Sequence, residues 1–388
     1  MTSSAGGGLR VLFMVTRDAH NPAAAGGDVQ CWEFARYLAA AGHQVTYLTS
    51  AFPGGAREEW LDGIHVVRLG GILSLWWRTC LHYLRHCRGR YDVVVEEGFG
   101  GSRIPRFAPL YVREPIVTEW HQVHHDLFTA QYPRPMVPLL DLSERFTAHL
   151  HRHTLVRAGT EEWRDAFVRL GFRREKVFVV PVSVREEWLG PLPRGQRGPE
   201  IVWIGKFRRY KCPHHLLEAL PRVLERVPEA RLTLAGRHHD RGYEARLAAL
   251  ARRLGVQERV RFLFDLTEEE KRELLLRARV LALPSAVEGF GIVVLEAGAC
   301  GVPVVASSGV PEGAVAHGYN GLRYPFGDCH ALAEALVRAL TDDALHQRLA
   351  ANARAFAEGH AWGRVGARFE EAVRRAAARG ERPELVTA

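Results

Sequence analysis

The sequence contains no stretch of about 18 to 20 uncharged apolar residues, the length that a membrane-spanning helix requires. Its first eight residues, MTSSAGGG, have neither the basic region nor the apolar region of a secretory signal. We therefore expect a cytoplasmic protein. The composition, 47% hydrophobic and 25% charged, is typical of globular proteins and excludes a disordered chain.

Closely spaced cysteines are also missing. No Cys-x-x-Cys pair occurs, so we expect reduced, mostly buried thiols rather than disulfides or a zinc site. The six cysteines are Cys31, Cys80, Cys87, Cys212, Cys300 and Cys329.

Runs of one charge sign are absent too. The net charge of +8 comes from 52 Lys+Arg against 44 Asp+Glu, with no run of five like charges. This excludes a basic arm that binds nucleic acid, and we expect no nucleic-acid partner. Diffuse positive charge fits anionic small ligands and a membrane surface equally well.

At 388 residues the chain is longer than one hydrophobic core usually supports, so two domains are expected. Strand patterns alternate with helix patterns from residue 9 onward, which predicts a parallel, doubly wound α/β sheet. The first loop closes with Gly26-Gly27 before a helix. After a Pro/Gly-rich stretch at 182–200 the pattern restarts with a strand at 201–204, which predicts a second sheet of the same kind.

The loop after this new first strand is strongly basic. It begins at Gly205 and places four cations, among them Lys206 and Lys211, into six positions. The whole chain has only four lysines, so two in one loop favour a phosphate site, where lysine serves as a compact point charge. The alternative is an ordinary solvated basic loop.

A glycine loop and two glutamates follow the strand predicted at 280–283. Glu288 lies in the loop with Gly289 and Gly291, and Glu296 lies about one turn into the helix that begins near Ile292. Carboxylates beside a phosphate site are favourable when they accept hydrogen bonds from sugar hydroxyls. We favour a sugar-diphosphate ligand over two solvated surface carboxylates.

The Glu-x7-Glu spacing inside PSAVEGFGIVVLEAGACGVPVVA resembles the signature of the retaining nucleotide-sugar glycosyltransferases of family 4, which have the GT-B fold. The resemblance extends over nearly the whole chain. It implies an acceptor-side Rossmann-like domain at 1–184, a nucleotide-sugar-binding domain at 185–363 facing it across a cleft, and a last helix at about 364–388 that packs back on the first domain.

The resemblance also implies roles for particular residues. Glu296 would bind the ribose, Glu288 the donor hexose, and Lys206 with Lys211 the diphosphate. Catalytic roles would fall on His121, Glu288, Lys206 and Lys211, and donor binding on Gly26, Gly27, Gly205, Gly289, Phe290, Gly291, Ile292 and Glu296. The sequence departs from the family pattern at three places: Lys206 replaces the usual arginine of the basic pair, Cys212 replaces the glycine after the second lysine, and Val182-Ser183 replace Asn-Gly.

The implied reaction moves a hexosyl group from a UDP-sugar or GDP-sugar to an acceptor hydroxyl with retention of configuration. No Asp-x-Asp occurs, so neither a metal ion nor another cofactor is expected. The acceptor stays open among a glycolipid, a glycan end and a small natural product. The rivals are a GT-B sugar-nucleotide epimerase and a non-catalytic nucleotide-sugar-binding partner subunit.

Three further patterns were weighed. The cluster of His121, His124 and His125 could indicate a metal site, but we favour a contact between His121 and the donor sugar. The alternating histidines at 149, 151 and 153 favour a solvated surface. The basic amphipathic segment 73–88 fits a helix packed on the first sheet better than peripheral contact with a membrane.

Overall fold

The computed structural model describes residues 7–99, 106–192, 195, 197–238 and 240–379. Residues 380–388 of the predicted last helix, and residues 193, 194 and 196 of the Pro/Gly-rich stretch, lie outside this part. The chain divides into two compact units. The first unit holds the described residues up to His124, Arg134–Pro181 and those from Gly363 onward, and the second holds His125–Pro133 and Val182–Trp362.

An eight-stranded sheet forms the centre of the first unit, in the order β3-β4-β2-β1-β5-β6-β7-β8. Its neighbouring strands are parallel except β3 and β4. The strands are β1 (Arg10–Met14), β2 (Gln44–Thr49), β3 (Glu58–Leu61), β4 (Ile64–Arg68), β5 (Val93–Glu97), β6 (Ile116–Glu119), β7 (Leu155–Ala158) and β8 (Val177–Val179).

The hairpin of β3 and β4 corrects the expectation of a wholly parallel sheet. Its two-residue turn is Asp62-Gly63, and both residues have positive φ, 51° and 77°. Asp-Gly is favoured in such turns because glycine adopts positive φ without strain and aspartate tolerates it. The hairpin adds an antiparallel edge to a parallel sheet.

The helices of the first unit pack beside this sheet. In α1 one face is buried and carries Cys31, Phe34, Ala35 and Leu38, at the i, i+3, i+4, i+7 spacing of a helix. Phe369 of the last helix stacks on Phe34, with 4.0 Å between ring centroids. The helices are α1 (Gly26–Ala40), α2 (Leu75–His82), α3 (Ala108–Tyr111), α5 (Val137–His151), α6 (Glu161–Leu170) and α13 (Trp362–Arg379).

Two sequence interpretations change in this unit. His151 is buried, with Nε2 2.8 Å from Glu96 Oε2, so the solvated surface predicted for it was wrong. Its place on the inward face of α5 follows from helical spacing, with Glu144 two turns earlier also buried. The segment 73–88 buries Cys87 but leaves Trp77 54% exposed, so only one of its faces packs inward.

The second unit contains a six-stranded sheet in the order β11-β10-β9-β12-β13-β14. All its neighbouring strands are parallel, as predicted. The strands are β9 (Glu200–Ile204), β10 (Arg231–Gly236), β11 (Val260–Phe264), β12 (Val280–Leu283), β13 (Val304–Ser307) and β14 (Gly321–Tyr324).

Helices cover both faces of this sheet. Along β9, Ile201 and Trp203 belong to one hydrophobic cluster and Val202 to the other, because successive side chains of a strand point to opposite faces. The helices are α4 (His125–Gln131), α7 (Pro213–Arg226), α8 (Arg241–Arg253), α9 (Glu268–Arg277), α10 (Ile292–Ala299), α11 (Cys329–Thr341) and α12 (Asp343–Gly359). No helix in the described ranges is long and apolar enough to cross a bilayer.

Candidate active site

The second sheet has a topological switch point between β9 and β12. From β9 the chain continues to β10 and β11 on one side, and it then returns to β12 and continues to β13 and β14 on the other. The loops after β9 and β12 therefore diverge at the same edge of the sheet, which is where open parallel sheets bind ligands. Gly205 begins the first loop and Pro284 the second.

Close backbone approach shapes the loop after β9. The Gly205 N–H donates to the Ala235 carbonyl oxygen at 3.0 Å. A Cβ added at Gly236 would lie 1.7 Å from the Gly205 carbonyl oxygen, so position 236 excludes a side chain. This contact holds the start of the basic loop at the end of β10, and half-buried Lys206 follows directly.

Lys211 and Glu288 are brought together from the two loops. Lys211 Nζ lies 2.5 and 2.6 Å from the two carboxylate oxygens of Glu288, and the Ser285 hydroxyl donates to the same carboxylate at 2.8 Å. Burial alone would lower the pKa of Lys211, but the charge and hydrogen bond of Glu288 together with Tyr210 outweigh it and raise the pKa above its ordinary value. The ammonium is therefore a permanent cation at this edge.

The N-terminus of α10 points into the same region. Gly291 precedes the helix with φ of 85°, a left-handed conformation that favours glycine. No side chain caps this helix, so the N–H groups of its first turn carry partial positive charge without a side-chain acceptor. Phe290, next to Gly291, packs in the hydrophobic core and anchors the loop.

Glu296 has a cationic partner that the sequence analysis did not assign. Lys271 Nζ on α9 lies 2.9 Å from Glu296 Oε1 and 2.9 Å from Glu268 Oε1, and it sits 5.0 Å from the ring centroid of Trp188. Burial raises the pKa of Glu296 above its ordinary value, and Lys271 offsets this only in part. Lysine scarcity, already used for the basic loop, was the signal that could have identified Lys271.

In the first unit, Gly27 and His121 are in direct contact. A Cβ added at Gly27 would lie 2.7 Å from His121 Nε2 and 2.9 Å from its Cδ2. Glycine at 27 is therefore required by the imidazole and not by a turn. The ring nitrogen Nε2 is shielded from solvent and has no hydrogen-bond partner among the residues that the structure describes.

A buried charge network surrounds this imidazole. Glu97 accepts hydrogen bonds from the backbone N–H of Thr16, at 2.8 Å, and from its hydroxyl, and Arg106 lies 3.4 Å from the same carboxylate. Burial would raise the pKa of Glu97, but Arg106, His121 and Thr16 outweigh it and hold the pKa below its usual range. Burial lowers the pKa of His121 to about 4, although the Glu97 charge opposes this, so the imidazole is neutral at pH 7.

The three histidines at 121–125 do not converge. His124 Nδ1 lies 2.6 Å from Glu144 Oε1, and His125 is exposed at the start of α4. No group of metal-ligating atoms in the described part of the chain contains any of these three. Of these three histidines, His121 is the one that contacts the glycines at the start of α1.

Two family models match the sequence. Residues 184–356 match "Glycosyl transferases group 1", and residues 25–183 match "Glycosyl transferase 4-like domain". Among curated relatives, the chain is 30% identical over 351 residues to a D-inositol 3-phosphate glycosyltransferase of Actinosynnema mirum, across 84% of this chain and 81% of the relative.

Solved structures share the fold. Sucrose-phosphate synthase from Thermosynechococcus elongatus superposes with a TM-score of 0.80 at 20% identity, across 95% of this chain and 100% of the other. The HepE protein of Anabaena, in complex with UDP-glucose, superposes with a TM-score of 0.73 at 20% identity, again across 95% and 100%. These likenesses agree with the two doubly wound α/β units predicted from the sequence.

Proposed function

The chain belongs to the group 1 glycosyl transferases, and we propose that it transfers a hexosyl group from a nucleoside-diphosphate sugar to an acceptor hydroxyl, with retention of anomeric configuration and without a metal ion. The observation that carries this proposal is the meeting of Lys211, Glu288 and the N-terminus of α10 at the switch point of the second sheet. Cations, helix amides and a hydroxyl-accepting carboxylate are what a sugar diphosphate requires.

In this proposal the donor is held along the two loops. The diphosphate binds Lys206, Lys211 and the N–H groups of Phe290, Gly291 and Ile292. Glu296, on α10 beyond these amides, accepts hydrogen bonds from the ribose hydroxyls, and Gly205 and Gly289 allow the backbone to approach the ligand. The fixed cations and the helix dipole supply the positive charge that a chelated metal ion supplies elsewhere.

The chemical step follows from the same groups. As the bond between the sugar and the phosphate lengthens, negative charge grows on the diphosphate, where Lys211 and the start of α10 stabilise it. Glu288 contacts the hexose, whose ring gains positive charge in the transition state. The acceptor attacks from the face that the diphosphate leaves, which retains the configuration, and a phosphate oxygen takes the acceptor proton.

Residues of the first unit are proposed to contact sugar hydroxyls. His121 is neutral at pH 7, so it can accept a hydrogen bond as well as donate one. Gly26 and Gly27 begin α1 without side chains, and the absence of a Cβ at Gly27 lets the helix start pack directly against the imidazole. A neutral imidazole suits a hydroxyl partner better than a phosphate.

The donor and acceptor are best sought in a defined panel. UDP-glucose is the first donor to test because the HepE structure is a complex with it, and GDP-sugars follow. Inositol 3-phosphate is included among the acceptors because the Actinosynnema relative is named for it. Glycan ends, glycolipids and small natural products complete the panel, and NMR of the product reads its anomeric configuration. An inverted product contradicts the mechanism.

The decisive experiment separates the two glutamates. Glu296→Gln should weaken binding of the free nucleoside diphosphate about tenfold, since ribose is bound alike before and during reaction. Glu288→Gln should not weaken that affinity, because it only releases Lys211 for the diphosphate, and it should lower turnover at saturating donor. Glu258→Gln is the matched control, because Glu258 is exposed and precedes β11 at the opposite edge of the sheet. The reverse pattern would show that the assigned roles are wrong.

A further inference from the structure

A cluster of soft metal-ligating side chains lies at the start of α7, outside the groups assigned to the donor. Its members are Cys212, His215, Glu218 and Cys329. The ligand atoms of His215, Glu218 and Cys329 lie within 4.8 Å of one another, as do those of Cys212, His214 and His215. Cys329 begins α11, 111 positions from Glu218 in the sequence, and its thiol lies 3.4 Å from Glu218 Oε2.

The spacing along α7 places three of these side chains in one row. Cys212, His215 and Glu218 follow one another at intervals of three residues, so they lie on one side of the first two helical turns. The fourth comes from α11, which packs against α7. Two helices thus present a donor set that no local Cys-x-x-Cys pattern shows, which is why the sequence analysis expected no such site.

The backbone at Cys212 is unusual in a way that supports a role for its thiol. Cys212 has φ of 48°, a left-handed conformation that is strained for any residue with a Cβ and is ordinarily adopted by glycine. No side-chain hydrogen bond caps the start of α7, and the Cys212 thiol donates to the Arg209 carbonyl oxygen at 3.2 Å, a hydrogen bond that a metal ion would replace. A side chain that ligates an ion would account for a cysteine at this position.

The imidazole between the two thiols is poised for a ligand. His215 Nδ1 is shielded from solvent and has no hydrogen-bond partner among the described residues. The neighbouring His214 is already engaged, with Nδ1 2.8 Å from the Tyr243 hydroxyl. The two imidazoles therefore differ, and His215 is the one that offers a free nitrogen inside the cluster.

The donor chemistry selects a class of ion. Two thiols, one imidazole and one carboxylate are the ligands of tetrahedral Zn²⁺, with bonds of about 2.0 to 2.3 Å. Tetrahedral ligand atoms then lie about 3.5 to 3.8 Å apart. Within each of the two groups, contraction from separations of up to 4.8 Å needs shifts of about 1 Å, and the Cys212 side chain must in addition turn toward the group of His215, Glu218 and Cys329, with which it shares only the neighbour His215.

We propose that Cys212, His215, Glu218 and Cys329 bind a zinc-class transition metal ion. The ion would clamp the start of α7 to the start of α11. Because Cys212 directly follows Lys211, the clamp would fix the end of the basic loop on which Lys211 is carried. The site lies outside the proposed chemistry, so its role is to hold the loop and not to activate the substrate.

The test uses the full chain and the metals alone. The metal-free protein is titrated with Co²⁺, whose near-ultraviolet charge-transfer band reports thiolate ligands, and then with Zn²⁺ in competition with a chromophoric chelator. We expect one ion per chain, a two-thiolate band, and displacement of Co²⁺ by Zn²⁺. Cys329→Ser should halve the band, and Cys329→Ser and His215→Gln should each weaken Zn²⁺ binding by about tenfold or more.

Matched controls separate the cluster from adventitious binding. Cys80→Ser removes a half-buried thiol of the first unit, and His330→Gln removes the exposed neighbour of Cys329. Both should bind Zn²⁺ like the wild type, and thermal unfolding verifies that every variant is folded. Absence of a thiolate band in the wild type, or an unchanged band in Cys329→Ser, overturns the proposal without bearing on glycosyl transfer.

Discussion

Replacing Gly27 by alanine tests the contact between α1 and His121 most directly. An alanine Cβ would lie 2.7 Å from His121 Nε2, about 0.7 Å closer than an ordinary contact of 3.4 Å. Gly27 lies in the first turn of α1, where helix propensity alone would make alanine more stable than glycine by up to about 1 kcal/mol. Helix propensity therefore predicts that Gly27→Ala raises the free energy of unfolding, whereas the steric clash with His121 predicts that it lowers it.

The steric cost should prevail. Overpacking a filled site costs about 1 to 3 kcal/mol, and the imidazole is held in a buried network with Glu97 nearby. Gly27→Ala should lower the free energy of unfolding by about 1 to 2 kcal/mol in the wild-type background. In a His121→Ala background the clash is removed, so the same substitution should be neutral or stabilising. The two effects differ by a coupling energy of about 1 to 3 kcal/mol.

Urea unfolding of the four proteins of this cycle measures the coupling. Gly359→Ala is the control, since Gly359 ends α12 and a Cβ there has open space within 4 Å. In the transferase assay Gly27→Ala should lower turnover about tenfold or more, because a shift of the imidazole near 1 Å misplaces it. A coupling energy below about 0.5 kcal/mol would refute the contact.

Three more predictions concern the charged groups. Lys211→Met should lower the free energy of unfolding by about 1.5 to 3 kcal/mol, because buried Glu288 loses its cationic partner. Adding Glu288→Gln to the same chain should restore most of this loss. Urea unfolding measures both effects, and a double mutant as unstable as Lys211→Met would contradict the ion pair. Lys271→Met should raise the pKa of Glu296 further, because the carboxylate loses its cation, so a larger fraction of Glu296 is protonated at pH 6 than at pH 8. The variant should therefore lose more affinity for the nucleoside diphosphate at pH 6. Titration calorimetry that finds equal losses at both pH values would argue against this. The pKa of His121 is about 4 in the folded protein and about 6.5 in the unfolded chain. Between pH 6.5 and pH 4 the unfolded chain therefore binds more protons than the folded protein, and the free energy of unfolding falls as the pH drops through this range. His121→Gln should remove that part of the slope of unfolding free energy against pH, and an unchanged slope would contradict the buried neutral imidazole.

The sequence predicted most of the fold because strand and helix periodicities are local. The strands predicted at 201–204 and 280–283 agree within one residue with β9 and β12. The hairpin at Asp62-Gly63 was missed, although its turn sequence is itself a signal. The last strand, β14, was missed because its four residues carry no alternation.

The structure brings together some of the residues that the sequence indicated, and their other contacts are tertiary. Lys211 and Glu288 were indicated by their positions in the loops after two strands, and the topology of the sheet brings these loops to one edge, where the two side chains pair. The pairing of Lys271 with Glu296 comes from α9 and cannot be deduced from spacing. The burial of His151 against Glu96 likewise depends on which face of α5 meets the sheet. Local patterns show which residues flank a loop, and only the fold shows their partners.

In the ligand-free site both glutamates assigned to the donor already have a lysine partner, Lys211 for Glu288 and Lys271 for Glu296. Each buried carboxylate is thus paired with a cation, which avoids the large cost of an unpaired buried charge. In the proposed reaction, a diphosphate that draws Lys211 toward itself leaves Glu288 to accept hydroxyl hydrogen bonds from the sugar. A free sugar without phosphate offers no anion for that exchange. We therefore expect the site to bind the nucleotide-linked sugar more tightly than the free sugar, with the Ser285 hydroxyl, which donates to Glu288 at 2.8 Å, orienting the carboxylate.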